Sequence, residues 1–413
     1  MMRFYTIGAR LTHESQRPPA RWDTDKPATL STVPPLVCTL SCHLPHNSLC
    51  PKPLVLLFCT LHSSRRKTTE WKFASLRQQQ SGDRRLSKHF IESMPRFVVT
   101  GANKGIGLEI VKALLKTNKN AFVFLGSRDA ARGQNAVQSL LEQNSESYSG
   151  RVEALQIDVS DPSSVLQASE TVRARLQSGG GGGSDGTGAP SPAYLDALIN
   201  NAGMIPEDAS SPTGFASCID VNFRGVVRTT EAFLPLLKPS KGRVAITSSS
   251  SGPSFVAKCS PERQALMTDP DVTHAQITAL VDECLAIASA DGSLEEKFAA
   301  VGLSGMDGKM GVYGLSKALV NMYTIQLARE HPTLIVNACT PGFIKTDMTA
   351  PFEKTMGKSL DEMGAKTPAE GAKVVVHLAT GEVPSSGWYF GSDLQRSPLG
   401  RYRSPGDPAY DGK

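Results

Sequence analysis

No stretch of this 413-residue sequence approaches the roughly 18 consecutive apolar residues that a membrane-spanning helix requires. The nearest run, Leu54 to Leu61, is far too short, so a soluble chain with no membrane partner is expected. Cysteine is sparse: eight residues, four of them before Met94, and none forms a C-x2-C pair. A disulfide framework and a standard zinc site are thereby disfavoured, and Cys218, Cys259, Cys284 and Cys339 fall in segments that read as buried helix or strand, which suits a reducing compartment. Cys38, Cys42, His43, His46 and Cys50 lie close together, but their spacing matches no standard ligand set and no core surrounds them, so no metal is expected. An excess of one charge is also missing where it would matter. Residues 1–93 hold 14 Lys/Arg against 6 Asp/Glu, whereas the remainder holds 30 against 33, so no nucleic-acid surface is implied.

The first 93 residues are rich in Pro, Ser, Arg and His, show no sustained apolar period, and read as a disordered leader. Arg3, Arg10, Arg17 and Arg21 suit an organelle transit peptide; Glu14, Asp23, Asp25 and the prolines speak against one. A non-native extension is the other reading, Met94 standing directly before the first strand, and a cytoplasmic location is the expectation unless the leader directs import.

From Met94 onward, short apolar runs alternate with amphipathic stretches, the pattern of β-α-β units on a parallel sheet. Strands are expected at Phe97 to Thr100, Phe122 to Ser127, Val152 to Asp158, Leu195 to Asn200, Val244 to Ser248, Leu334 to Thr340 and Trp388 to Phe390. Helices are expected at Ile106 to Lys116, Ala130 to Gln143, Ser163 to Leu176, Gly225 to Leu237, Tyr313 to Arg329 and Ala369 to Ala379. Residues 94–413 thus read as a single doubly wound Rossmann-type α/β domain with a parallel sheet of about seven strands. Two inserts interrupt it. A glycine-rich linker lies near residues 178–192, and a folded insert spans about 253–311, where Thr273 and Gln276 form a capping box ahead of the stripe Ile277, Leu280, Val281, Cys284 and Leu285.

The first strand runs into Thr100-Gly101-Ala102-Asn103-Lys104-Gly105-Ile106-Gly107 and then a helix. Glycines at such a turn let the backbone approach a pyrophosphate, which the helix N-terminus favours; the spacing departs from G-x-G-x-x-G. Arg128 ends the second strand, where an Arg takes the 2′-phosphate of NADP, and Lys104 is expected to converge on the same group. Tyr313 and Lys317 stand four residues apart on one helical face. An ammonium there is expected to lower the phenol pKa and make Tyr313 a usable proton donor. Ser249, one of four consecutive serines at Ser248 to Ser251, could polarise the same carbonyl, or could serve only the turn.

Taken with Asp158, Asn200-Asn201-Ala202-Gly203, Asn222, and Pro341-Gly342 with Thr346, these motifs resemble the short-chain dehydrogenase/reductase superfamily over nearly everything after Met94. The long Ser249 to Tyr313 separation, the Asn103-Lys104-Gly105 turn and Arg128-Asp129 resemble its monomeric carbonyl reductase branch. The resemblance implies NADP as cofactor, bound by Gly101, Asn103, Lys104, Gly105, Ile106, Gly107, Arg128, Asp158, Asn201, Ala202, Gly203, Tyr313, Lys317, Pro341, Gly342 and Thr346. It implies Asn222, Ser249, Tyr313 and Lys317 as the catalytic set. Asp158 would bond the adenine, Asn201 would steady the fourth strand, and Asn222 would hold a relay water with Lys317. Ser249 is chosen because S-x-x-G to Gly252 is the usual family spacing, with Ser248 the runner-up, and Thr346 would contact the nicotinamide. The expected activity is reduction of a small hydrophobic ketone, aldehyde or quinone by a monomer, the insert covering helix faces that other members use to form tetramers. The alternative is an NADP-binding sensor or scaffold without turnover. Phe343, Met348 and Phe352 lie near a segment, residues 349–367, where a substrate lid would fall.

Overall fold

The computed structural model describes residues 94–178 and 194–412. The leader and the glycine run Gly179 to Gly183 lie outside the described residues.

Strand β1 (Arg96–Val99) leads into helix α1 (Gly105–Thr117), and β2 (Phe122–Ser127) into α2 (Ala130–Gln143) and the single turn α3 (Ser145–Tyr148). Then come β3 (Val152–Gln156), α4 (Pro162–Ser178) and β4 (Ala197–Asn200). Helix α5 (Pro212–Ile219) continues through a π-helical turn, Asp220–Arg224, into α6 (Gly225–Phe233) and β5 (Arg243–Thr247). The insert forms α7 (Ser251–Val256), α8 (Pro261–Thr268), α9 (His274–Ser289) and α10 (Leu294–Ala300). The long α11 (Gly308–Glu330), β6 (Ile335–Cys339), α12 (Pro351–Met356), α13 (Pro368–Thr380), β7 (Trp388–Phe390) and β8 (Arg396–Ser397) complete the chain.

The sheet order is β3-β2-β1-β4-β5-β6-β7-β8, parallel except for β8 against β7. The chain winds outward from β1 to β3 and then returns to β1's other side, so the switch point lies between β1 and β4, where such sheets open a crevice at their C-terminal ends. Alternate strand residues feed two cores. Val98, Leu198, Val244, Ile246 and Val336 pack beneath α4, α6 and α11, while Phe97, Val99, Ile199, Ala245 and Cys339 pack beneath α1, α2 and α13. Both faces are covered, which is why the strands read as near-continuous apolar runs.

In the insert, Thr273 and Gln276 form the capping box of α9, and Val272, Ile277, Leu280, Val281 and Cys284 are buried. Arg263 on α8 ties to Glu283 on α9 at 2.9 Å. The structure departs from the sequence reading in three places. An eighth, two-residue strand follows β7 and pairs with it antiparallel. Helix α11 begins at Gly308 rather than Tyr313, so its first turn comes from the end of the expected insert. Helix α5 precedes the expected Gly225 helix. Its start signals, a Ser211 cap and Pro212 in the first turn, are present, but eight residues are too few to set an apolar period.

Candidate active site

The glycine turn between β1 and α1 is pinned from the side by the segment after β4. The Thr100 hydroxyl oxygen accepts the backbone N–H groups of Asn201 and Ala202, both at 3.0 Å, and the Asn201 side-chain amide donates to the Thr100 and Gly101 carbonyls at 3.1 and 3.3 Å. Gly101 holds a positive φ of 62°, and a Cβ there would lie 2.9 Å from the Cα of Ala202. A Cβ on Gly107 would sit 2.3 Å from the Gly101 carbonyl oxygen. The α1 N-cap position, Lys104, makes no side-chain cap, so the first amides of a 13-residue helix face the turn without a capping side chain. A backbone cradle that side chains would fill, at an uncapped helix N-terminus, fits the pyrophosphate of a dinucleotide. Asn103 and Ile106 are half-buried within it.

Tyr313 and Lys317 project from α11 beneath the C-terminal end of β5. The Lys317 Nζ donates to the Thr247 carbonyl at 2.9 Å and stands 5.6 Å from the centre of the Tyr313 ring. Burial pushes the Tyr313 phenol up to about 12, opposed by the Ser249 hydroxyl beside it, and pushes the Lys317 ammonium down to about 8. The expected lowering of the phenol is therefore overturned: loss of water outweighs the neighbouring groups. Of the two candidate serines, Ser248 is buried and donates to the Lys317 carbonyl at 3.3 Å, whereas the Ser249 hydroxyl faces Tyr313. Asn222 sits fully buried in the π-helical turn, a feature common at functional sites. Its amide is taken up by the protein: Oδ1 accepts from Met204 N at 2.8 Å, and Nδ2 donates to the Met204 carbonyl at 2.8 Å and to Ser316 Oγ at 3.0 Å. The side chain thus anchors the segment after β4 to α11. Gly203 lies over this group, a Cβ on it falling 3.3 Å from Asn222 Oδ1 and 3.5 Å from Lys317 Nζ.

At the other end of the crevice, Arg128 is exposed after β2 and makes no ion pair among the described residues. Lys104, also exposed, lies in the glycine turn. Its ammonium pairs with Asp347 at 2.6 Å, and that hydrogen bond and charge hold the Asp347 carboxyl below its ordinary range. Asp158 is half-buried, one carboxylate oxygen accepting from the Ser160 N–H and hydroxyl at 3.0 and 2.7 Å. Pro341 is buried, Gly342 has a φ of 94°, and the methyl of Thr346 lies 3.5 Å from where a Cβ on Gly105 would be, so this loop closes over the glycine turn. The sequence motif contained Thr100, but its role as a double acceptor required knowing that β4 lies beside β1.

The family model of the short chain dehydrogenases matches residues 96–261. A (+)-neomenthol dehydrogenase of Arabidopsis thaliana is 33% identical over 303 residues, 67% of this chain and 91% of the relative. The chain belongs to the short-chain dehydrogenase/reductase family. A carbonyl reductase [NADPH] of Macaca fascicularis is 33% identical over 296 residues, 68% of this chain and 89% of its own length. Among solved structures, a menthone neomenthol reductase from Mentha piperita superposes with a TM-score of 0.55 at 25% identity, over 73% of this chain and 99% of that one. As a short-chain dehydrogenase/reductase, the protein is an oxidoreductase of a family that uses nicotinamide cofactors and includes carbonyl reductases. The Rossmann-type sheet and the carbonyl reductase resemblance read from the sequence are both present. No helix among the described residues is long and apolar enough to cross a membrane.

Proposed function

We propose that the protein reduces an apolar ketone, aldehyde or quinone with NADPH, Tyr313 giving the proton. The observation that carries this reading is the convergence of Ser249, Tyr313 and Lys317 beside the cradle of Gly101 to Gly107. A dinucleotide seated on that cradle supplies the hydride. Ser249 donates a hydrogen bond to the substrate oxygen and holds the carbonyl toward Tyr313. A phenol raised to about 12 stays protonated at neutral pH and releases its proton only as the oxygen becomes basic. Lys317, still cationic at pH 7, steadies the phenolate left behind and offers N–H donors to a ribose. Arg128, lacking a carboxylate partner at the end of β2, supports NADPH over NADH. Asp158 retains a free carboxylate oxygen for the adenine side. Asn201 and Asn222 act by fixing the backbone that walls the site.

The test is absorbance-monitored NADPH consumption with a panel of aromatic ketones, quinones and aldehydes, in the wild type and in Tyr313→Phe. The variant is expected to bind NADPH and to lose about two to four powers of ten in kcat. A variant with wild-type turnover overturns the assignment of the proton donor.

A further inference from the structure

We infer that a cavity at the outer edge of the sheet, formed by β7, β8, the end of α13 and the C-terminal tail, is a second ligand site that takes an aromatic monocarboxylate on Arg396. The inference stands independently of the reading of the active site. The cavity has a volume of about 410 Å³, within the range of small-molecule sites, and His377, Trp388, Phe390, Leu394, Arg396 and Tyr410 line it. None of its lining residues belongs to the glycine turn or to the Ser249, Tyr313 and Lys317 group. In the sheet order β7 stands three strands beyond β4, so the cavity is remote from the crevice between β1 and β4. Trp388 and Phe390, two apart on β7, share one face of the sheet with their ring centres 6.0 Å apart and supply an aromatic wall.

The guanidinium carbon of Arg396 stands 4.2 Å from the centre of the Trp388 ring and 5.1 Å from that of Tyr410. The Tyr410 N–H donates to the Arg396 carbonyl at 3.0 Å, which fixes the tail against β8. Ring faces attract the cation without consuming its N–H groups. Arg396 is half-buried, yet among the described residues it makes no ion pair and no side-chain hydrogen bond. The other half-buried arginines, Arg96, Arg151, Arg228, Arg243, Arg263 and Arg403, each donate at least one. A guanidinium held in place with its N–H groups unspent is a planar fork for a carboxylate. Leu394 supplies an independent sign. Its φ of 66° is left-handed, a conformation that aliphatic side chains rarely adopt, and its side chain is exposed at the rim. An aromatic ring in the cavity would cover that leucine as well as the wall of Trp388 and Phe390. Glu382 and Asp411, both exposed, also line the cavity, so a ligand with two negative charges is opposed more than one with a single carboxylate.

The experiment is titration calorimetry of the full chain with 1-naphthoate, with the neutral 1-naphthalenemethanol and with naphthalene-1,4-dicarboxylate, each with and without saturating NADPH. The wild type is expected to bind one naphthoate at least about tenfold more tightly than either of the other two, with or without the dinucleotide. Arg396→Met is expected to weaken naphthoate about tenfold and leave naphthalenemethanol unchanged, and Arg396→Lys, which keeps the charge but not the fork, to weaken it about threefold. Leu394→Gly relieves the left-handed backbone and removes the rim. It is expected to weaken naphthoate about threefold with a melting temperature equal to or above that of the wild type, and it decides the matter if Arg396→Met does not fold. The absence of saturable binding in the wild type overturns the site, as does equal binding of the alcohol. Naphthoate binding that NADPH abolishes and that neither Arg396→Met nor Leu394→Gly alters places the ligand in the crevice and overturns it equally.

Discussion

Lys317 shows what the site costs the fold. An ammonium depressed from 10.5 to about 8 by burial corresponds to about 3 kcal/mol against its charged form at neutral pH. Lys317→Met removes that cost but leaves the Thr247 carbonyl without its donor, worth about 1–3 kcal/mol. The expected outcome is a modest net gain, about 1 kcal/mol in a denaturant melt, together with loss of turnover. The sign of its pH dependence is fixed. Below pH 8 the lysine is protonated in both folded and unfolded chains, and the cost is complete; between about 8 and 10.5 the unfolded chain binds the extra proton, so the wild type gains stability as pH rises and the gap to the variant closes and then reverses. A gap that is flat across this range would refute the buried-cation account. Arg128→Ala is expected to weaken NADPH by about one to two powers of ten and leave NADH nearly untouched, measured as separate dissociation constants. Equal loss for both would mean that the arginine supports the fold. Lys104→Ala should do less, because Lys104 is already engaged with Asp347.

At the scale of elements, the glycine turn depends on a close approach. A methyl on Gly107 would meet the Gly101 oxygen at 2.3 Å, Asn201 Nδ2 at 2.6 Å and the Cα of Ala102 at 2.8 Å, two of them backbone that cannot swing aside. Gly107→Ala is expected to cost about 1–3 kcal/mol despite alanine's better helix propensity, and to lower NADPH affinity at least about tenfold. Wild-type stability in a urea melt would show that α1 shifts freely. The glycine spacing, the strands and the Tyr313–Lys317 pair were legible because each is local: a turn residue, a short apolar run, an i to i+4 face. Three features were not legible, because they depend on contacts across the sheet or on burial. The engagement of Asn222 with Met204, the capture of Lys104 by Asp347 and the upward shift of the phenol each come from residues distant in sequence or from lost water. Likewise β8 has two residues, too few for any alternation, and exists because β7 offers an edge.

For the whole molecule, assembly turns on which surfaces are left to pair. From Gly311 to Leu327, nearly every residue of α11 is buried: one side lies on β6, and the others pack against α5, α7 and α9. The insert helices α8 and α9 complete this cover, Phe298 from α10 reaching Phe215 of α5 with ring centres 5.5 Å apart. A two-fold interface through α11 would therefore require the insert to leave, exposing Ile277, Leu280, Val281 and Cys284. At the opposite edge, β3 presents Glu153 paired with Arg175, charges that oppose strand addition. Of the exposed large apolar residues among the described ones, Met94, Leu166, Leu394 and Tyr402 lie apart in the chain, and Met310, Phe343, Met348 and Met356 are spread over α11, the loop after β6 and α12. A stable pair of copies needs about 800 Å² of complementary surface on each, which such single residues do not supply. We predict a monomer by light scattering at micromolar concentration. A stable dimer or tetramer would require a surface other than α11, and crosslinking of that species would locate it.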